Sequence, residues 1–342
     1  MVDSTHKRNR IIAFWLFAVC IMVYVMVVLG GVTRLTHSGL SMVEWKPVTG
    51  WLPPLNETQW QETFAKYQQF PEYKKINAGM SLDEFKSIFW LEFLHRLWGR
   101  CIGVAFFAPF VFFMLKGWVD RRLGWKLALM FMLGGLQGVL GWYMVKSGLS
   151  DRPDVSQYRL TAHLGAALVV YGYMLWVALG LLWPEPPPRV KPALGRFAGL
   201  LAALVFVTAL SGGFVAGLDA GYSYNTFPLM DGALAPEGMF DLKPVYLNFF
   251  ENVATVQFNH RLLAETVFIL SVIFWLRARK TVSSPRAGLA VNLLALMALV
   301  QAALGISTLL MMMPTALASA HQAGAVALFT AALWVAHETR AG

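Results

Sequence analysis

Charge is what this 342-residue chain has least of: Lys, Arg, Asp and Glu together make up 14%, while hydrophobic residues make up 57%. Soluble domains carry about 25% charged residues, so a soluble globular fold of this length is excluded. The mean hydropathy of +0.54 points instead to a polytopic membrane protein. Cysteine is nearly absent, and Cys20 and Cys101 both fall inside apolar runs, where they read as small packing residues. The chain has no loop cysteine pair and no Cys-x-x-Cys-His motif, which excludes covalent haem attachment, so any cofactor is held non-covalently. A basic, Ser-rich presequence is lacking too, and a bacterial inner membrane is the expected setting rather than an organelle. Acidic residues are outnumbered 19 to 28, giving a net charge of +9. That excess sits in short clusters between apolar runs, which argues against a nucleic-acid-binding face.

Apolar windows of about 20 residues, enough to cross ~30 Å of hydrocarbon, occur at 11–32, 88–115, 123–145, 160–183, 194–217, 253–276, 289–313 and 316–336. The basic clusters mark alternate connections, and both termini, as cytoplasmic. They are Lys7, Arg8 and Arg10; Lys116, Arg121, Arg122 and Lys126; Arg189, Lys191 and Arg196; and Arg277, Arg279, Lys280 and Arg286. The chain also repeats itself. Gly30-Gly-Val matches Gly212-Gly-Phe, Phe93-Leu-His-Arg-Leu matches Phe258-Asn-His-Arg-Leu, and Leu136-Gln-Gly-Val-Leu-Gly141 matches Val300-Gln-Ala-Ala-Leu-Gly305. The expected fold is therefore all-α: eight transmembrane helices as two homologous four-helix bundles. With an even number of spans in each, the halves are a parallel repeat. Residues 1–183 form the first bundle, 184–193 a stiff Pro-rich cytoplasmic linker, and 194–342 the second bundle. A long external connection, 33–86, belongs to the first half. Within it Asn56 reads as the N-cap of an amphipathic helix on the outer surface, with Trp60, Phe64 and Tyr67 on its apolar face. The turn-rich segment Gly221–Gly232 reads as a cap over a site in the second half.

Ionisable groups inside spans are costly and mark function. His95, His163, His260 and His321 all fall near the outer ends of even-numbered spans, at one depth, and within each half the two histidines lie on helices that can face one another. Neutral imidazoles so placed are the usual bis-axial ligands of a b-type haem. Glu92 lies one turn before His95 on the same face and points towards the same cavity; its counterpart is Gln257, so the two sites are expected to do different work. A di-iron carboxylate centre would need a second Glu-x-x-His motif, which is missing. Arg96, Arg100 and Arg261 are candidate partners for haem propionates. Glu265, four residues after Arg261, could neutralise it instead. His6 and His337 read as solvated residues at the cytoplasmic ends, and His37 as an external residue at the mouth of the first site.

Four stretches carry a family resemblance: Gly30-Gly-Val-Thr-Arg-Leu-Thr-His-Ser-Gly39, Glu92-Phe-Leu-His-Arg-Leu-Trp-Gly-Arg100, Gly221-Tyr-Ser-Tyr-Asn-Thr-Phe-Pro-Leu-Met-Asp-Gly232 and Phe258-Asn-His-Arg-Leu. Over nearly its whole length the chain resembles the haem A synthase family of bacteria and mitochondria, in its cysteine-free branch. The resemblance implies haem O as substrate, with its C8 methyl oxidised to a formyl group by successive hydroxylations for terminal oxidase biogenesis. It implies haem b held by His260 and His321, and substrate haem at His95 and His163 beside Glu92 as the catalytic residue. Implied partners are haem O synthase as donor, an unidentified electron donor and membrane lipids, with no nucleic acid; a homo-oligomer is left open. The alternative reading is a diheme cytochrome b that carries electrons between quinol and a partner. The lone carboxylate Glu92 argues against it, since electron transfer alone does not require one.

Overall fold

The computed structural model describes residues 2–46, 49–148, 155–185 and 191–340. Among them the structure is helical, with one isolated bridge between Met230 and Ala233 and no strand. The helices are α1 (Val2–Leu35), α2 (Glu57–Tyr67), α3 (Pro71–Lys75), α4 (Leu82–Leu115), α5 (Arg121–Gly148), α6 (Gln157–Leu182), α7 (Pro192–Gly217), α8 (Asn248–Glu251), α9 (Val253–Ala278), α10 (Pro285–Leu310) and α11 (Thr315–Glu338). Seven of them, α1, α4, α5, α6, α7, α10 and α11, contain stretches long and apolar enough to cross a membrane, so this is a multi-span membrane protein. The eighth expected span coincides with α9, which has 26 residues but interrupts its apolar run with Arg261 and Glu265. Residues 186–190, the middle of the Pro-rich linker together with Arg189, lie outside the described residues.

Helix starts follow local chemistry. The Asn56 side chain accepts from Gln59 N at 2.9 Å and opens α2, as its position before the apolar pattern predicts. α4 starts six residues before its apolar window, because Ser81 and Glu84 form a reciprocal capping box. At 34 residues it is about 50 Å long, more than the ~30 Å a bilayer core requires. The surplus serves as a platform.

The chain divides into two compact units, Ile21–His163 and Met1–Cys20 with Leu164–Gly342, so both boundaries fall inside helices, α1 and α6. In the first unit α2 lays its apolar face on the platform. Trp60 meets Phe89 edge-on at 4.9 Å, Tyr67 stacks on Phe85 at 5.1 Å, and Phe89 stacks on Phe93 at 6.0 Å. The face expected to lie along the outer surface is thus spent on α4.

In the second unit α7, α9, α10 and α11 form a closed ring: α7 packs on α9 and α11, and α10 on the same two. α6 joins at Gly172, whose bare Cα admits Phe329 and Leu333 of α11. Beside them Tyr171 hydrogen-bonds Thr330 at 2.7 Å. Both cysteines are free thiols, and Cys20 is buried. At the end of α11 the structure corrects one expectation. His337 is 1% exposed, packed edge-on against Trp176, and its Nδ1 accepts from Arg340 at 2.7 Å. The ring is an acceptor there, hence neutral, and its 3.6 Å approach to Glu338 is no ion pair. Glu338, fully buried, pairs with Arg286 at 2.8 Å, while Arg340 donates to the carbonyls of Trp183 and Pro184. The physical reason is that the tail folds back on the helix ends, so polar termini that would be solvated on a lone helix bind one another.

Candidate functional site

Each of the four histidines singled out in the sequence rests against a glycine of the preceding long helix. A Cβ built on Gly30 would lie 3.2 Å from His95 Nε2, on Gly141 3.5 Å from His163 Cε1, on Gly212 3.2 Å from His260 Cε1, and on Gly305 2.8 Å from His321 Cε1. A side chain at Gly30, Gly212 or Gly305 would press on an imidazole, most at Gly305, whereas at Gly141 it would make ordinary contact. The repeat-marking glycines of the sequence are, in three dimensions, the floors on which the rings lie.

In the Ile21–His163 unit, His95 and His163 are close enough to interact electrostatically. Three residues at four-residue spacing on α4, Glu92, Arg96 and Arg100, hold the segment that follows α1. Glu92, 2% exposed, accepts at one oxygen from Ser41 Oγ and Met42 N, both at 2.7 Å, and at the other from Arg96 at 2.5 Å. Arg96 continues to the carbonyls of Met42 at 2.8 Å and Glu44 at 3.0 Å, and Arg100 to that of Lys46 at 2.8 Å. Glu44 bonds Lys46 and Lys66, whose ammonium groups hold its carboxyl below the usual carboxylate range. Arg96, a candidate propionate partner in the sequence, is paired here with Glu92, one turn back on its own helix.

The second unit repeats the clamp with other chemistry. Gln257 Nε2 donates to the Tyr224 carbonyl at 3.0 Å, and Arg261 donates to those of Tyr224 at 2.6 Å and Thr226 at 2.8 Å. Glu265 and Asp231 attract Arg261 electrostatically, but its hydrogen bonds go to this segment. Asn225 Nδ2 ties the same turn to the carbonyls of Gly221 and Leu309. The chain enters both clamped segments through a left-handed residue placed two beyond its helix, His37 (φ 49°) after α1 and Asp219 (φ 52°) after α7. His37 is exposed there.

Between α9 and α11 the rings of His260 and His321 stand 6.4 Å apart, centroid to centroid, at 86°. Two imidazoles that bind one metal from opposite sides, with bonds of about 2 Å, hold their centroids roughly 6 Å apart. Ser211 Oγ lies 2.7 Å from the Thr208 carbonyl, to which it can donate, and 2.8 Å from His260 Nδ1. With the hydroxyl proton on that carbonyl, Nδ1–H donates to Ser211 and Nε2 is left free, the tautomer a metal-binding histidine uses. His321 Nδ1 is buried without a hydrogen-bond partner, and its carbonyl is fixed by Gln301 Nε2 at 3.0 Å. Ser211 escaped the sequence reading; its position one residue before Gly212 was the available signal. Among the described residues no three His, Cys, Asp or Glu side chains gather, so a carboxylate-bridged metal pair has no donor set there.

Long apolar helices that bring half-buried, glycine-backed imidazoles together define a membrane protein of the paired-histidine class. Residues 13–333 match the cytochrome oxidase assembly protein family, COX15-CtaA, and the chain belongs to that family. It is 59% identical to the heme A synthase of Nitrosospira multiformis over 341 residues, 99% of this chain and 96% of that protein. It is 55% identical to that of Nitrosomonas eutropha over 337 residues, 97% and 95% of the two. The mouse heme A synthase COX15 is 49% identical over 346 residues, 98% of this chain and 84% of that protein.

Proposed function

We infer that this chain is a haem A synthase, an oxidoreductase that converts the C8 methyl of haem O to a formyl group. The family and the heme A synthases that match nearly end to end support the activity. The assignment of sites rests on the geometry of the imidazoles. His260 and His321 would hold haem b non-covalently: the 6.4 Å between their rings, the Ser211 hydroxyl beside His260 Nδ1 and the His321 Nδ1 left without a hydrogen-bond partner support this. When bound, that haem supplies a redox-active iron to the second unit. Arg261 Nε, buried without a partner, is the donor left for one of its carboxylates. His95 and His163 receive haem O. Glu92 and Arg96 hold residues 41–44 beside that site and so fix the wall against which the substrate is oriented. Two hydroxylations, each replacing a methyl C–H by C–OH and passing two electrons to an oxidant supplied from outside the chain, would give an alcohol and then a geminal diol, which loses water to give the aldehyde.

Glu92 serves this chemistry as a positioning residue, since three donors already occupy its oxygens. The contrast with Gln257 is then met by loop chemistry, an N–H on one side and a carbonyl on the other. The choice of a synthase over a diheme electron carrier accordingly rests on the relatives. With α9 as the eighth span, the protein comprises two parallel four-helix halves in a bacterial inner membrane with both termini cytoplasmic, supported by the placement of the basic clusters. Haem O synthase as donor and an electron donor complete the reaction's partners.

Pigment extraction tests the reading. Purified protein is expected to yield haem O or haem A beside haem b, and His260→Ala and His321→Ala to lose haem b. A preparation from a haem O-producing host with haem b as its only pigment would overturn the synthase; full haem b in both variants would overturn the ligand assignment.

A further inference from the structure

A cleft of about 410 Å³ in the Ile21–His163 unit is bounded by Trp45, Phe70, Arg96, Trp142 and Lys146. Its position is set by the imidazole site. Arg96 follows His95 on α4, and Trp142 follows Gly141, the residue on which His163 rests. One residue along a helix is a rise of about 1.5 Å, so the cleft opens at the depth of the two rings. It carries two cations, each standing on an indole: Arg96 lies 5.3 Å from the Trp45 ring and Lys146 5.0 Å from that of Trp142. They differ in what they have left to give. Arg96 is committed to Glu92 and two carbonyls. Lys146 is exposed, and among the described residues its ammonium has the Trp142 face and neither a hydrogen bond nor an ion pair.

Aromatic walls with one uncommitted ammonium suit a flat apolar body that ends in a carboxylate. The volume is enough for the edge of a tetrapyrrole, not for the whole macrocycle. We propose that Lys146, standing on Trp142, receives a carboxylate side chain of the substrate tetrapyrrole and thereby sets which edge of the macrocycle enters the cleft. This rests on His95 and His163 being the substrate site. The consequence is regiochemical. The C8 methyl shares its pyrrole ring with one of the two carboxylate side chains, so a fixed carboxylate fixes that methyl, and positioning of this kind is where selectivity among similar methyl groups can arise. An anionic lipid headgroup would satisfy the same ammonium, and the experiment separates the two.

Protein carrying its haem b, in phosphatidylcholine nanodiscs, is titrated with protohaem and with protohaem dimethyl ester, and uptake of the second haem is read from the Soret band. A charge-assisted bond to Lys146 should make the diacid bind about tenfold more tightly than the diester. Lys146→Ala and Lys146→Glu should abolish that preference and Lys146→Arg keep it, with haem b content unchanged in all three. A preference that survives in both Lys146→Ala and Lys146→Glu overturns the proposal. So does one that phosphatidylglycerol removes while the Lys146 variants do not, which assigns the cleft to lipid. Undiminished second-haem binding in His163→Ala would instead sink the substrate-site reading.

Discussion

Glu92 shows how much a side chain's partners matter beyond its shape. Every atom it touches is a donor: the Ser41 hydroxyl, the Met42 amide and the Arg96 guanidinium. Gln257 at the matching position points an amide nitrogen at a carbonyl and leaves its own oxygen buried without a partner. Glu92→Gln therefore sets an amide N–H against a donor and removes the charge opposite Arg96, at a cost of about 2 kcal/mol localised to the loop. We expect amide exchange at Met42 to accelerate by about tenfold or more, conversion to stall with haem O or the alcohol accumulating, and haem b to stay in place. Wild-type exchange together with wild-type haem A output would show the clamp to be irrelevant. The sequence made Glu92 and the histidines visible because charged and polar groups stand out in an apolar helix. It hid the clamp because the acceptors are backbone carbonyls some 50 positions away, where side-chain identity carries no signal.

At the level of elements, seven apolar windows coincide with helices long and apolar enough to cross a membrane, because hydropathy alone decides which segments can lie in a bilayer, and the window at 253–276 falls on α9. They misplaced the start of α4, whose first turns spend Phe85 and Phe89 on α2 rather than on lipid. The Ser81 to Glu84 spacing would have revealed that start. The glycines were legible as marks of repetition but not as floors for imidazoles, since a glycine's function is the absence of an atom. Their tolerances should differ. An added methyl at Gly305 would come within 2.8 Å of His321, closer than real Cβ contacts, whereas at Gly141 it would meet His163 at an ordinary 3.5 Å. Gly305→Ala should displace the ring and reduce the low-spin haem b spectrum severely, while Gly141→Ala should bind both haems. Equal haem b spectra in wild type and Gly305→Ala would show that His321 has room to move and that the floor is not needed.

For the molecule as a whole, the least expected region is the buried knot where α11 ends. Glu338 is fully buried and pairs with an Arg286 that keeps part of its side chain exposed, so the carboxylate, cut off from water, depends on this partner. Breaking a buried pair by removing one partner costs roughly 3 kcal/mol or more. Glu338→Gln should thus lower the apparent Tm in detergent by several degrees without changing the haem complement of the folded fraction. An unchanged Tm would mean that Arg286 and Glu338 are held by packing alone.

The clamps also bear on how the chain is made. In each case the carbonyls come first in the chain and the arginine later: residues 42–46 precede Arg96 and Arg100, and Tyr224 and Thr226 precede Arg261. An arginine inside a span costs up to about 3 kcal/mol on entering the membrane from the translocon, most at the centre, and α9, proposed above as the eighth span, offers Gln257, Asn259, His260 and Arg261 within five residues. Its acceptors are already synthesised when it emerges, so the growing chain brings a solvation shell ahead of the cation. Replacing residues 222–228 with a Gly-Ser linker should therefore lower the fraction of α9 that integrates in a glycosylation-mapping assay, although α9 itself is untouched. If integration is as complete with the linker as without it, α9 enters unaided and the order of the clamp has no part in assembly.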